Sequence, residues 1–123
     1  MAQIKYNLGD LGKEVYSTNE TVIGTWIDGK PIYRKVIDFG MLPNTSTKSM
    51  AHGISNIDKF VRVYGTANKL DTRDGRVIPY IVKSGPGNIE LYQDKTTIAI
   101  STTTDRSLYE AYVILEYTKT TDA

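Results

Sequence analysis

An all-β fold, an antiparallel two-sheet sandwich of jelly-roll-like form with about eight strands, follows from three features of the sequence. The first is the stretch 109–117, where Tyr109, Ala111, Val113, Leu115 and Tyr117 alternate with Glu110, Tyr112, Ile114 and Glu116. Period-two alternation rich in aromatic and β-branched residues marks a strand laid on a core. The second is a succession of shorter β-branched runs, each closed by Gly, Pro, Asn or Asp. The third is the absence of any sustained helical period.

Residues 1–15 carry no regular pattern and read as an extended arm. Its apolar residues, Ile4, Tyr6, Leu8 and Leu11, need a surface to bury them and are the candidate anchor. Residues 16–123 are the expected sandwich domain. Ser17-Thr-Asn-Glu20 has the hydroxyl-to-glutamate spacing of a helix-capping box, closing at most a single turn. The Asp28-Gly29 pair predicts a type I′ hairpin, because Gly and Asp tolerate the positive φ that such a turn requires. Pro31 follows it at a strand start. The returning strand sets Tyr33, Lys35, Ile37 and Phe39 on one face and Ile32, Arg34, Val36 and Asp38 on the other.

Gly40 to Ser46 reads as a loop and Thr47 to Ala51 as a short strand stopped by His52-Gly53. Phe60 to Thr66 is a strand with Val61 and Val63 opposite Phe60, Arg62 and Tyr64. Asn68 to Arg76 is a charged loop, and Val77 to Val82 is a strand that Pro79 confines to an edge or a bulged position. Ile89 to Gln93 and Thr96 to Ser101 form a second hairpin around Asp94-Lys95. A polar tail follows the final strand. On that strand Tyr112 and Ile114 place apolar groups on the face away from the core, so a second layer or another copy of the chain is expected there. Tyr112 and Ile114 are therefore the candidate subunit interface.

The 123 residues make one domain, 40% hydrophobic and 24% charged, with 15 basic and 14 acidic side chains. A net charge of +1 gives no bulk attraction for nucleic acid, and no apolar run is long enough to span a bilayer. The opening residues lack the apolar centre of a signal peptide, so synthesis in the cytoplasm is expected. Cysteine is absent, which removes disulfides and thiolate chemistry. Nine tyrosines against two phenylalanines and one tryptophan suit half-exposed strands and interfaces, since tyrosine buries its ring and keeps its hydroxyl wet.

The stock of catalytic groups is small. His52 is the one histidine, and at a strand end it reads as structural, one ring nitrogen bonded to a backbone carbonyl. Asp71-Thr-Arg-Asp-Gly75 resembles a calcium loop but lacks its third and terminal acidic ligands and holds Arg73 in its middle. No Gly-x-Ser-x-Gly elbow is present, and Gly85-Pro-Gly87 is followed by no Lys-Ser/Thr. No cofactor, no metal and no enzymatic activity is expected. Trp26 and Tyr33, on the two arms of the first hairpin, are a candidate glycan platform, although a Trp beside such a turn more often packs into the core.

Tyr16-Ser-Thr-Asn-Glu-Thr-Val-Ile-Gly-Thr-Trp-Ile-Asp-Gly-Lys-Pro-Ile-Tyr-Arg-Lys35 resembles the opening of a β-domain of tailed-bacteriophage virion proteins of the head-fibre and tail-fibre type. The similarity runs on through Leu42-Pro-Asn44, Ala51-His-Gly-Ile-Ser-Asn-Ile57, Asp105-Arg-Ser107 and Leu115-Glu-Tyr-Thr-Lys-Thr120, covering almost everything but the arm. The Gly-Thr-Trp-Ile-Asp-Gly-Lys string is its most specific part. The resemblance implies a non-enzymatic structural or adhesive virion domain, commonly trimeric, with no catalytic set to carry over. Its partners are other virion proteins of capsid or tail, with neither nucleic acid nor membrane. Because the chain is nearly all domain and little arm, a small decorating or terminal subunit is expected rather than a long shaft. The alternative is a carbohydrate-binding module at a fibre tip that recognises a host-surface glycan.

Overall fold

The computed structural model describes residues 14–123. Among them the chain forms eight strands and no helix: β1 (Thr21–Thr25), β2 (Pro31–Met41), β3 (Thr47–Ala51), β4 (Ile57–Lys69), β5 (Gly75–Ile78), β6 (Ile89–Gln93), β7 (Thr97–Thr102) and β8 (Tyr109–Lys119). All pairings are antiparallel, in a five-stranded sheet ordered β1-β2-β8-β4-β5 and a three-stranded sheet ordered β3-β7-β6. This is the eight-stranded sandwich that the sequence predicts, divided five and three. The arm residues Ile4, Tyr6, Leu8 and Leu11 lie outside the described residues.

Strand β8 is the middle of the larger sheet, with Leu115 opposite Lys35 of β2 on one side and Val63 of β4 on the other. Its alternate residues Tyr109, Ala111, Val113, Leu115 and Tyr117 are buried, as their period requires. They pack with Ile37, Phe39 and Ile78 of their own sheet and with Ile89, Ile98 and Ile100 of the smaller one. Each large apolar side chain so enclosed contributes roughly 1.5–3 kcal/mol.

The two sheets share one folded ribbon. β2 pairs with β8 and β3 with β7, and the corner between them keeps the pairing going. The amide of Leu42 donates to the carbonyl of Tyr109, Arg106 to Pro43, Thr45 to Thr104 and Thr102 to Ser46, while Asn44 bridges Asp105. A two-stranded ribbon bent over on itself is the jelly-roll element of the fold. On the opposite side β5 stops before Pro79, and Tyr80 exchanges backbone bonds of 2.9 and 2.8 Å with Ile89. The sheets are thus laced together along both flanks.

Several local expectations are corrected. The first hairpin turns on Ile27 and Asp28, with the Gly29 amide donating to the Trp26 carbonyl and Gly29 alone at positive φ (90°). A type I turn followed by a left-handed glycine replaces the two-residue type I′ turn, adding residues to the loop. Ser17 and Glu20 form no helical turn; the Ser17 hydroxyl accepts the Asn19 amide in a local bend. Asn68 and Lys69 belong to β4 and Gly75 and Arg76 to β5, so the charged loop is shorter than its polarity suggests. Val77 to Val82 does not run as one strand, because the chain leaves β5 at Pro79. Finally, Phe60 and Val63 share the core side, although they are three residues apart. A bulge between Phe60 and Arg62 inserts Val61 and inverts the alternation.

Candidate functional site

The face of the five-stranded sheet turned away from the small sheet carries a connected cluster of charged and aromatic groups. Cross-strand register builds it in rows. Arg34, Glu116 and Arg62 lie side by side, then Val36, Ile114 and Tyr64, then Asp38, Tyr112, Thr66 and Val77. Neighbours in such rows stand close enough to interact directly.

At its centre Arg34 and Glu116 are both buried. Arg34 Nε and Nη2 donate to Glu116 Oε2 at 2.9 and 2.8 Å. The remaining arm of the guanidinium, Nη1, reaches Glu14 Oε1 at 2.8 Å and the Val15 carbonyl at 3.2 Å. The ring of Tyr16 lies 4.4 Å from the guanidinium carbon, a cation–π contact. The Tyr64 hydroxyl stands between Glu116 and Tyr16, at 3.4 and 3.5 Å, and Arg62 covers the Tyr64 ring. Burial, the Tyr16 hydroxyl and the Glu116 charge together push the Tyr64 phenol up to about 12. Burial alone would lower the Arg34 guanidinium, but its bonds to Glu116 and Glu14 outweigh that and hold it raised. Two residues beyond Arg34, the Val36 amide donates to the Ser17 carbonyl at 2.9 Å. Residues 14–17, where the arm enters the domain, are therefore held on this face by β2 and its partner.

Tyr112 and Ile114 occupy this same face. Ile114 is only 6% exposed in a single chain, so the face beside it is already covered between Val36 and Tyr64. Tyr112, at 36%, remains accessible in the row that runs across Thr66 to the exposed Val77. The second layer expected over the strand is supplied in part by the chain itself, through the Arg34 cluster and residues 14–16.

Trp26 and Tyr33 do not meet as a matched platform. Trp26 is half-buried at the tip of the β1–β2 hairpin. Tyr33 packs inward, stacked on Tyr117 with ring centres 5.9 Å apart, its hydroxyl donating to Asp122 at 2.6 Å. His52 is buried, its Nδ1 accepting the Ile54 amide at 3.1 Å and its Nε2 against the Asp94 carbonyl at 2.9 Å. That pattern fixes the tautomer with hydrogen on Nε2 and ties the β3 end to the β6–β7 turn. Asp71 and Asp74 turn to different partners: Asp71 to the Thr72 amide, Asp74 to Arg76 and the Tyr109 hydroxyl. Among the described residues no three metal-ligating side chains gather. Among the described residues, shallow depressions lie over Asp105, Arg106 and Tyr109, of about 330 Å³, and over Asn56, Lys95 and Thr120, of about 350 Å³. The first holds one carboxylate, Asp105, and the second none.

Sequence reasoning passes over Arg34, Glu116, Tyr16 and Tyr64. A signal exists: Arg34 stands between Ile32 and Ile37, and Glu116 between Leu115 and Tyr117. A charge embedded in a strand that is apolar on both faces is buried, and a buried charge requires a partner. The pairing register that makes these two each other's partner is a tertiary fact. No family model, no curated protein and no solved structure matches the chain.

Proposed function

We propose that the chain is a structural subunit of a tailed-bacteriophage particle, a head-fibre, tail-fibre or capsid-decoration protein held by its N-terminal arm with the sandwich projecting outward. The role is attachment, without catalysis, and the partners are other virion proteins. The observation that carries this reading is the seating of residues 14–17 on Arg34 and Val36. Tension on the arm enters the sheet at β2, next to the central strand, rather than at a frayed end. The string Gly24-Thr-Trp-Ile-Asp-Gly-Lys30 and its companions support the virion assignment through their resemblance to fibre domains. If copies pack about a three-fold axis, Tyr112 and Val77 are the accessible part of the face for it.

The test is incorporation. Tagged chain supplied during infection by a phage that encodes it is expected in purified particles, while a variant with Ile4, Tyr6, Leu8 and Leu11 changed to Asp stays soluble, folded and excluded. Particles that take up both equally remove the arm as the anchor. A glycan-binding role is the second reading, favoured by Trp26 at the hairpin tip beside the almost fully exposed Ile27. It predicts that Trp26→Ala abolishes binding on a glycan array with an unchanged melting curve.

A further inference from the structure

The depression of about 330 Å³ lies where β4 stops and β8 starts, and is lined by Lys69, Asp105, Arg106, Leu108 and Tyr109. Backbone bonds hold its walls. Lys69 stands opposite Tyr109 in register, the Leu70 amide donates to the Leu108 carbonyl at 3.0 Å, and the Arg106 amide to the Pro43 carbonyl at 3.2 Å. Among the described residues the Arg106 guanidinium bonds only to neutral groups, the Tyr109 hydroxyl at 3.1 Å and the Gly87 carbonyl, and its Nε is buried without a partner. Beyond Tyr109 stands Asp74, which Arg76 already pairs at 2.7 Å. A half-buried guanidinium with no carboxylate of its own keeps an unanswered charge. Lys69 is paired loosely, its Nζ 3.9 Å from the exposed Asp71. Asp105 spends Oδ1 on the Ser107 amide and hydroxyl, and its Oδ2 accepts no hydrogen bond among the described residues. Leu108, exposed, adds an apolar wall.

We propose that this depression binds an acidic sugar, a hydroxylated ring that carries one carboxylate. The carboxylate goes to Lys69 and Arg106, where charge-assisted hydrogen bonds are strongest. A ring hydroxyl donates to Asp105 Oδ2, and the C–H edge of the ring meets Leu108. A bare anion such as phosphate answers the two cations but sets its charge against Asp105, and a neutral sugar leaves both cations unanswered. The lining therefore selects the ligand that carries both groups. At about 330 Å³ the space is at the small end of ligand sites, roughly 300–1,000 Å³, and suits one ring rather than a chain of them. The inference does not rest on the virion reading and uses neither the arm nor Trp26, so its failure leaves those readings where they stand.

The test titrates the isotope-labelled full chain with glucuronate, glucose and inorganic phosphate and follows its backbone amides by NMR. Glucuronate is expected to shift the amides of Lys69, Leu70 and residues 105–109 and to saturate with a Kd of about 1 mM, glucose and phosphate binding at least about tenfold more weakly. Lys69→Ala is expected to weaken glucuronate about fivefold with an unchanged melting curve. Arg106 also ties Gly87 to Tyr109, so Lys69 is the position that separates binding from folding. Asp105→Ala serves as the second variant, expected to weaken glucuronate and to strengthen phosphate, opposite effects that a loss of structure does not produce. Glucuronate shifts that fail to saturate by about 20 mM overturn the proposal. So does glucose binding equally well, which makes the cations irrelevant, and so does phosphate binding equally well, which leaves an adventitious ion only. Shifts centred on other residues, or glucuronate binding unchanged in Lys69→Ala, overturn it too.

Discussion

Arg34 holds two carboxylates at the same 2.8 Å, but Glu116 is buried with it while Glu14 stands largely in solvent. Distance alone makes the two contacts equal; desolvation separates them. Removing one member of a buried pair strands the other's charge, whereas an exposed partner is readily replaced by water. Glu116→Ala is therefore expected to lower unfolding free energy by about 3 kcal/mol. Glu14→Ala costs less than about 1 kcal/mol. Urea denaturation of the two variants measures both, and equal losses refute the ordering.

Gly65 lies where β4 crosses the central strand. A Cβ built there stands 2.5 Å from the Tyr112 carbonyl oxygen, a backbone atom that cannot move aside. Gly65→Ala is expected to destabilise by about 3 kcal/mol through displacement of β4 from β8. Gly24 on β1 has nothing within 4 Å of its Cβ position and no positive φ. Gly24→Ala is expected to stay within about 0.5 kcal/mol of wild type in the same denaturation experiment.

Acid stability falls in a defined window. The amides of Thr96 and Thr97, with the Thr97 hydroxyl, hold the Asp94 carboxyl at about 2, below its usual 3.8. The Ser107 hydroxyl and amide lower Asp105, and the Tyr109 hydroxyl with Arg76 lowers Asp74. Each is depressed in the folded state, so its contribution is present above the unfolded value and disappears as pH falls through the folded one. The midpoint of thermal unfolding is expected to decline from about pH 4 toward pH 2. Asp94→Asn flattens that decline; a slope unchanged by the substitution rules Asp94 out as a source.

The opposite limb belongs to Tyr117. Its hydroxyl donates to Glu20 at 2.6 Å, and burial followed by that bond raises its pKa well above 10.0. A raised phenol stabilises fully below the unfolded value and loses that contribution as pH climbs past it. Tyr117→Phe is expected to cost about 1 kcal/mol at neutral pH, with the gap to wild type closing above about pH 10. A constant gap across that range refutes the assignment.

What could be read from residues alone was whatever depended on period. Strands β3, β6, β7 and β8 fall where apolar alternation and turn residues put them, because side-chain period is a local property of a strand. The structural place of His52, with a backbone carbonyl on one ring nitrogen, is also as expected. The misreadings share a different cause. Phe60 changes sides through one inserted residue, Val61, and composition does not mark a bulge. Asn68, Lys69 and Arg76 look like loop residues, yet strands at the outer part of a sheet can carry polar side chains to solvent. The Arg34 cluster was hidden because it joins residues 82 positions apart, and nothing local encodes which strand lies beside which.

Strand β8 is the last strand in chain order and the one on which β2 and β4 both depend for their pairing. During synthesis those two strands emerge without their shared neighbour and cannot join each other across the gap. Contacts so distant along the chain close slowly. Translation that halts before residue 109 leaves two long unsatisfied strands and a divided core. Such a fragment is a target for proteolysis or clumping rather than a usable part. The larger sheet is therefore continuous only once β8 has taken its place between β2 and β4.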